Sequence, residues 1–290
     1  MIYLAHIVVM VAIYVVLAAS LDLLVGQTGI LSLAHAAFYG IGAYAVAVLT
    51  LRLGASFLTA FLAAMIVSAA LSVLLSLPSL RLREDYFVMA TLGFQLIASN
   101  VLGNWIDLTR GPLGIAGVPG PRILGWVVTS QWGFVALTLL VAGSAWTVAA
   151  CISASPFGRV LRAIREDELV AEALGKDTIG SKIKVVAISA MLAAAAGGLY
   201  AYYVTYIDPS AFTITESILV LAMVIIGGAG SRLGSILGAL LLVVTPELLR
   251  FFGFPDSIAA NTRQFLFGSV LVLVIMIRPK GLVGRYGFGR

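Results

Sequence analysis

A chain of 290 residues with 61% hydrophobic and only 11% charged residues is too apolar for a soluble domain, where about a quarter of residues are charged. Its long unbroken apolar runs and mean hydropathy of +1.08 exclude a β-barrel, whose strands would alternate over roughly ten residues, and leave helices as the structure that satisfies the backbone in lipid. The net charge of +5 comes from loops and tail and is no nucleic-acid signal; one cysteine, Cys151, and two distant histidines, His6 and His35, exclude a disulfide framework and a recognisable zinc spacing.

Stretches able to cross about 30 Å of hydrocarbon fall near 2–25, 29–51, 55–77, 86–103, 134–152, 185–207, 213–227, 236–250 and 265–277. The expected fold class is therefore all-α, a polytopic transmembrane bundle of about nine spans, eight to ten because the last three are short for a full crossing. The N-terminus lacks a basic region and runs apolar too long for a cleaved signal, so it reads as a retained first span. With the 155–184 connection and the C-terminal tail placed in the cytoplasm, thirteen of the eighteen Lys and Arg residues fall inside, as the positive-inside rule requires.

Val25–Tyr44, VGQTGILSLAHAAFYGIGAY, is built from small residues that let spans approach closely. Gly26, Gln27, Thr28 and Gly29 interrupt the apolar run, and a broken helix in a transporter exposes backbone N–H groups to a substrate carboxylate. Ser32 and His35 follow within the same stretch and join the candidate substrate pathway. A second interruption, GGAGSRLGSILG at 227–238, adds Gly227, Gly228 and Gly230; paired breaks in the two halves suggest an internal repeat. Of the acids in apolar runs, Asp22 and Glu247 lie near span ends and can be hydrated, whereas Glu216 is the intramembrane acid to watch.

The segment 104–133 is long, rich in Gly and Pro, and carries Trp105 and Trp126 at headgroup depth; Pro112, Pro119 and Pro121 forbid a continuous helix. The densest charge lies in 155–184. Ser155 then Pro156 reads as an N-cap with proline at the first helical position. Phe157, Val160, Leu161, Ile164, Ala171 and Leu174 recur at helical spacing before Gly175, which predicts one amphipathic helix of about five turns over 156–174. Arg162 and Glu166 are spaced to pair within it. Two readings stand: a solvated loop helix, or a docking element anchored by Ile164 and Leu174. Ala171–Asp177 fails as a phosphate loop because Val170 and Asp177 occupy the required Gly and Ser/Thr places, so any ATP used is hydrolysed by another subunit.

Four stretches carry a family resemblance: GQTGILSLAHAAFYGIGAY (26–44), LTRGPLGIAGVP (108–119), the run 162–203, and RPKGLVG (278–284). Together they resemble the M-type permease subunit of branched-chain amino acid ABC importers. The resemblance implies a single permease domain over 1–290, not an enzyme, binding no cofactor or metal itself. It implies a multi-pass protein of the bacterial inner membrane with a cytoplasmic C-terminus, a periplasmic loop at 104–133 and a cytoplasmic coupling loop at 155–184. The implied partners are a second permease subunit, two ATPase subunits that use ATP and Mg, a periplasmic binding protein and the lipid bilayer, with no nucleic acid. The coupling residues it implies are Arg162, Ile164, Arg165, Glu166, Glu172, Leu174 and Gly175. Leucine, isoleucine and valine are the implied substrates; urea or a short amide, and a secondary ion-coupled carrier, are the alternatives.

Overall fold

The computed structural model describes residues 2–80, 84–123, 126–128 and 130–251, with 268, 269, 276, 278 and 281–284 beyond them. The first apolar run forms α1 (Ile2–Thr28), which is apolar on every side and buried over most of its length. Two more helices share the centre, α2 (His35–Leu53) and α9 (Thr178–Val204). Around them stand α3 (Phe57–Ser79), α4 (Glu84–Asn104) and α6 (Gln131–Ala154), which keep most of their apolar surface exposed, as lipid-facing helices do. These six are long and apolar enough to cross a membrane. A shorter helix, α10 (Ile214–Gly227), and α11 (Arg232–Phe251) pack antiparallel to each other, and both pack against α1. The expected span over 265–277 falls largely outside the described residues, as do Arg81, Arg83, Lys280, Arg285 and Arg290, so the expected nine are not all seen.

Close approach of α2 to α9 rests on glycine. A Cβ at Gly42 would lie 2.5 Å from Ala194 Cα, and one at Gly197 would lie 2.8 Å from Ala43 N. Backbones pack there without a side chain between them, the small-residue device of membrane helices. Gly197→Val is expected to overpack the contact by about 1–3 kcal/mol and lower the melting temperature of the purified protein. An unchanged melting curve would mean the two helices are not held this closely.

At one end of the bundle, the described residues between α4 and α6 form the short helix α5 (Ile106–Thr109), a 3-10 turn (Gly111–Leu113) and three two-residue strands: β1 (Ile115–Ala116), β2 (Arg122–Ile123) and β3 (Trp126–Val127). β2 pairs with β3, and β1 pairs antiparallel with β4 (Tyr206–Ile207) just past α9. The other end carries α7 (Pro156–Glu166) and α8 (Glu168–Ala173). The single helix expected over 156–174 is thus two. Asp167 is extended (φ −160°, ψ 109°) and its carboxylate accepts from Val170 N at 3.1 Å, so it caps a new helix instead of continuing the old one.

The second span also begins later than expected. Residues 29–34 are not helical, and α2 starts only at His35. Gly29, in the left-handed region (φ 78°), ends α1 with its N–H on Val25 O at 3.0 Å.

Candidate functional site

Two interruptions approach the middle of the bundle from opposite ends. From the α7 end, 29–34 rises to the start of α2. From the loop end, the 3-10 turn Pro209–Phe212 descends to the start of α10. They meet beside Gln95, half-way along α4: its Oε1 accepts from Ala37 N at 2.7 Å and its Nε2 donates to Phe212 O at 2.9 Å. Ser217 Oγ accepts from Ala36 N at 2.9 Å, and Thr91 Oγ1 accepts from Leu33 N at 3.1 Å. These side chains satisfy backbone donors that a broken helix leaves unmet in lipid. His35, 1% exposed, lies 2.9 Å from Ser20 Oγ through Nε2, and Ser189 Oγ donates to Ser20 O at 2.6 Å, which ties α1, α2 and α9 together at this depth. Ser32 is buried in the connection, its Oγ accepting from Ala34 N. Gln95, Thr91 and Ser217 were not among the expected site residues; a lone glutamine inside an apolar span was the available signal.

Below this meeting point, the end of α1 is held by α7. Arg165 Nη1 donates to Gly26 O at 2.5 Å, and Arg162 Nη1 donates to Gln27 Oε1 at 2.9 Å and Ser153 O at 2.8 Å. Carbonyls at a helix C-terminus are unsatisfied and carry partial negative charge, so cationic donors suit them. The expected Arg162–Glu166 pair is therefore not made: Arg162 turns inward and Glu166 is exposed. Leu161 and Ile164 also face inward, 0% and 2% exposed, against α1, α6 and α9. Ile164 is a core residue of this chain, not a surface anchor.

The exposed apolar face belongs to α8 and its end: Leu169, Val170 and Leu174 are 77%, 54% and 72% exposed. Lys182, itself buried, fastens α8 to α9 by an ion pair with Glu168 at 2.6 Å. Glu172 accepts from Thr178 Oγ1 at 2.7 Å, and Gly175 turns the chain with φ 75°.

The two glycine stretches meet. Asp22 Oδ1 accepts from Gly230 N at 2.7 Å, and a Cβ on Gly26 would lie 2.8 Å from Gly230 Cα. Gly227 and Gly228 are packed against backbone as well: Leu282 N donates to Ile226 O at 2.9 Å and Val283 N to Gly227 O at 3.1 Å, closing the end of α10. At Gly26 there is thus no room for a leucine side chain in an assembled protein. Gly26→Ala is expected to part α1 from the 228–231 turn, lowering thermal stability before any transport step is reached; normal stability would mean that the contact yields freely. Among the described residues no three His, Cys, Asp or Glu side chains come together to hold a metal ion.

Comparison with known proteins places this architecture. The family model described as "Branched-chain amino acid transport system / permease component" matches residues 3–275. The chain belongs to that family. It is 36% identical to the high-affinity branched-chain amino acid transport system permease protein LivM of Salmonella typhimurium over 94% of this chain and 68% of the relative. To LivM of Escherichia coli it is 35% identical over 93% and 68%. To the permease protein LivH of Salmonella typhimurium it is 25% identical over 94% and 91%. No solved structure matches. A member of this family is a membrane transport permease component and not an enzyme.

Proposed function

We propose that the chain is the membrane-spanning permease subunit of an ATP-binding-cassette importer for branched-chain amino acids. The relatives' names support the substrate class, and the α7–α8 unit supports the mode of action. In this reading the α7 end is cytoplasmic and the loop end faces a periplasmic binding protein in a bacterial inner membrane. A related permease subunit completes the translocation path, and two ATPase subunits supply the ATP and Mg chemistry.

The observation that carries the reading is the division of labour between α7 and α8. α7 is locked into the bundle by Leu161, Ile164, Arg162 and Arg165, while α8 presents Leu169, Val170 and Leu174 to its surroundings. An apolar face at the aqueous end of a membrane protein fits a cleft in a soluble partner. Force on α8 passes through α7, Arg162 and Arg165 to the end of α1. Gly29 and the non-helical 29–34 then form the link to α2, whose first turn lies beside Gln95 half-way along α4.

Docking is tested by co-purification of the ATPase with the complete complex. Leu174→Asp, at an exposed position, is expected to leave the permease folded and to release the ATPase, because a buried interface anchor is commonly worth more than about 1–2 kcal/mol. An unaltered ATPase yield with Leu169→Asp/Leu174→Asp would remove α8 from the docking surface.

A further inference from the structure

Glu216 stands in the first turn of α10, where Thr213-Ile-Thr-Glu216 spells the sequence of a capping box. That box is not closed. The Thr213 side chain makes no cap bond, and Glu216 Oε1, enclosed by protein, accepts no hydrogen bond. The carboxylate faces Tyr14 of α1 instead. Tyr39 and Tyr200 are within electrostatic reach of the same carboxylate. Their rings lie 5.5 Å apart, both backed by Phe212 at 5.1 and 6.0 Å.

Other acids at membrane depth are accounted for. Asp22 is held by Gly230 N and Ser235, and Glu247 accepts from Tyr3. Among the described residues Glu216 is the one carboxylate with an enclosed oxygen that no donor meets. Leaving a carboxylate oxygen unmet inside a membrane protein is costly, and helix capping does not account for it here.

The surround selects the ligand. One carboxylate oxygen with no donor, near phenol side chains, suits a compact cation with several N–H donors. A hard metal ion would need more oxygen ligands than the site offers. The next residue, Ser217, accepts from Ala36 N at the start of α2. Glu216 therefore lies beside the first turn of α2, whose leading N–H groups are already met by Ser217 and Gln95. We propose that Glu216, framed by Tyr14, Tyr39 and Tyr200, binds the primary ammonium group of an α-amino acid in the permeation path. The inference rests on the reading of the chain as an amino-acid permease, and it sets urea and neutral amides apart, since they carry no ammonium. The ligand reaches the enclosed oxygen when α1 and α10 part.

The test uses the complete complex, with binding protein and ATPase, in proteoliposomes. Glu216→Gln is expected to lower the initial rate of labelled leucine uptake by about tenfold or more, the loss of one charged hydrogen bond, with Glu216→Asp recovering part of it. Should Glu216→Gln fail to assemble, the unmodified protein carries the test through reaction of Glu216 with a hydrophobic carbodiimide, followed by peptide mass spectrometry. Leucine is expected to slow that reaction during turnover, and 4-methylpentanoate, the same skeleton without the amine, is not. Leucine uptake at the full rate by Glu216→Gln overturns the proposal alone. So does equal protection by both compounds, or collapse of uptake in the unmodified complex when the proton gradient is dissipated at constant ATP, which would make Glu216 a proton carrier. An unmodified complex that imports no leucine contradicts the function itself, and the proposal with it.

Discussion

Arg165→Ala is expected to reduce leucine uptake at least about tenfold while the ATPase still co-purifies. Its guanidinium donates to Gly26 O at the C-terminus of α1, and hydrogen bonds from charged donors contribute about 1.5–3 kcal/mol. Removing it leaves α7 seated through Leu161 and Ile164 but loosened from the segment it has to move. ATP hydrolysis then continues with little uptake, so the measured quantity is leucine imported per ATP hydrolysed. Arg165→Lys is expected to fall between, because an ammonium supplies a point charge without the planar fork of donors. A normal uptake-to-hydrolysis ratio in Arg165→Ala would mean that force does not pass from α7 to α1 by this route.

Ile164→Asp is expected to remove the permease from the membrane altogether. The side chain is 2% exposed among α1, α6 and α9, and an unpaired charge buried there costs several kcal/mol, comparable with the whole stability of a domain. The contrast with Leu174→Asp, ten residues on and 72% exposed, separates folding from docking. Measured as the yield of monodisperse permease in detergent, Ile164→Asp should fall to near background and Leu174→Asp should not. Equal yields would mean that Ile164 is not packed as described.

The sequence reveals that an apolar stripe runs along 156–174; it does not reveal what covers the stripe. Periodicity assigns Ile164 and Leu174 to one face, yet the first is covered by this chain and the second is open. The dividing feature is Asp167, whose side chain caps α8; in sequence it reads as one more charge in a charged run. The long-range bonds of Arg162 and Arg165 to residues 26 and 27 have no local trace, whereas an Arg–Glu pair at four-residue spacing does, and the visible pair was the one not formed. Gly29 was legible as a break because an apolar span tolerates few reasons for Gly-Gln-Thr-Gly. That the break extends to His35 depends on Thr91, Gln95 and Ser217, brought from two other helices to satisfy its donors. Gly26 was legible as a close-approach residue and Gly230 as part of a second break, though not that the two approach each other.

The most direct test of the central claim is uptake of labelled leucine into proteoliposomes holding the permease pair, the ATPase and the binding protein, with ATP on the ATPase side. The account predicts uptake that requires ATP, stops with a non-hydrolysable analogue, and is competed by isoleucine and valine but not by urea. Uptake driven by an ion gradient without ATP, or import of urea in place of leucine, would contradict it.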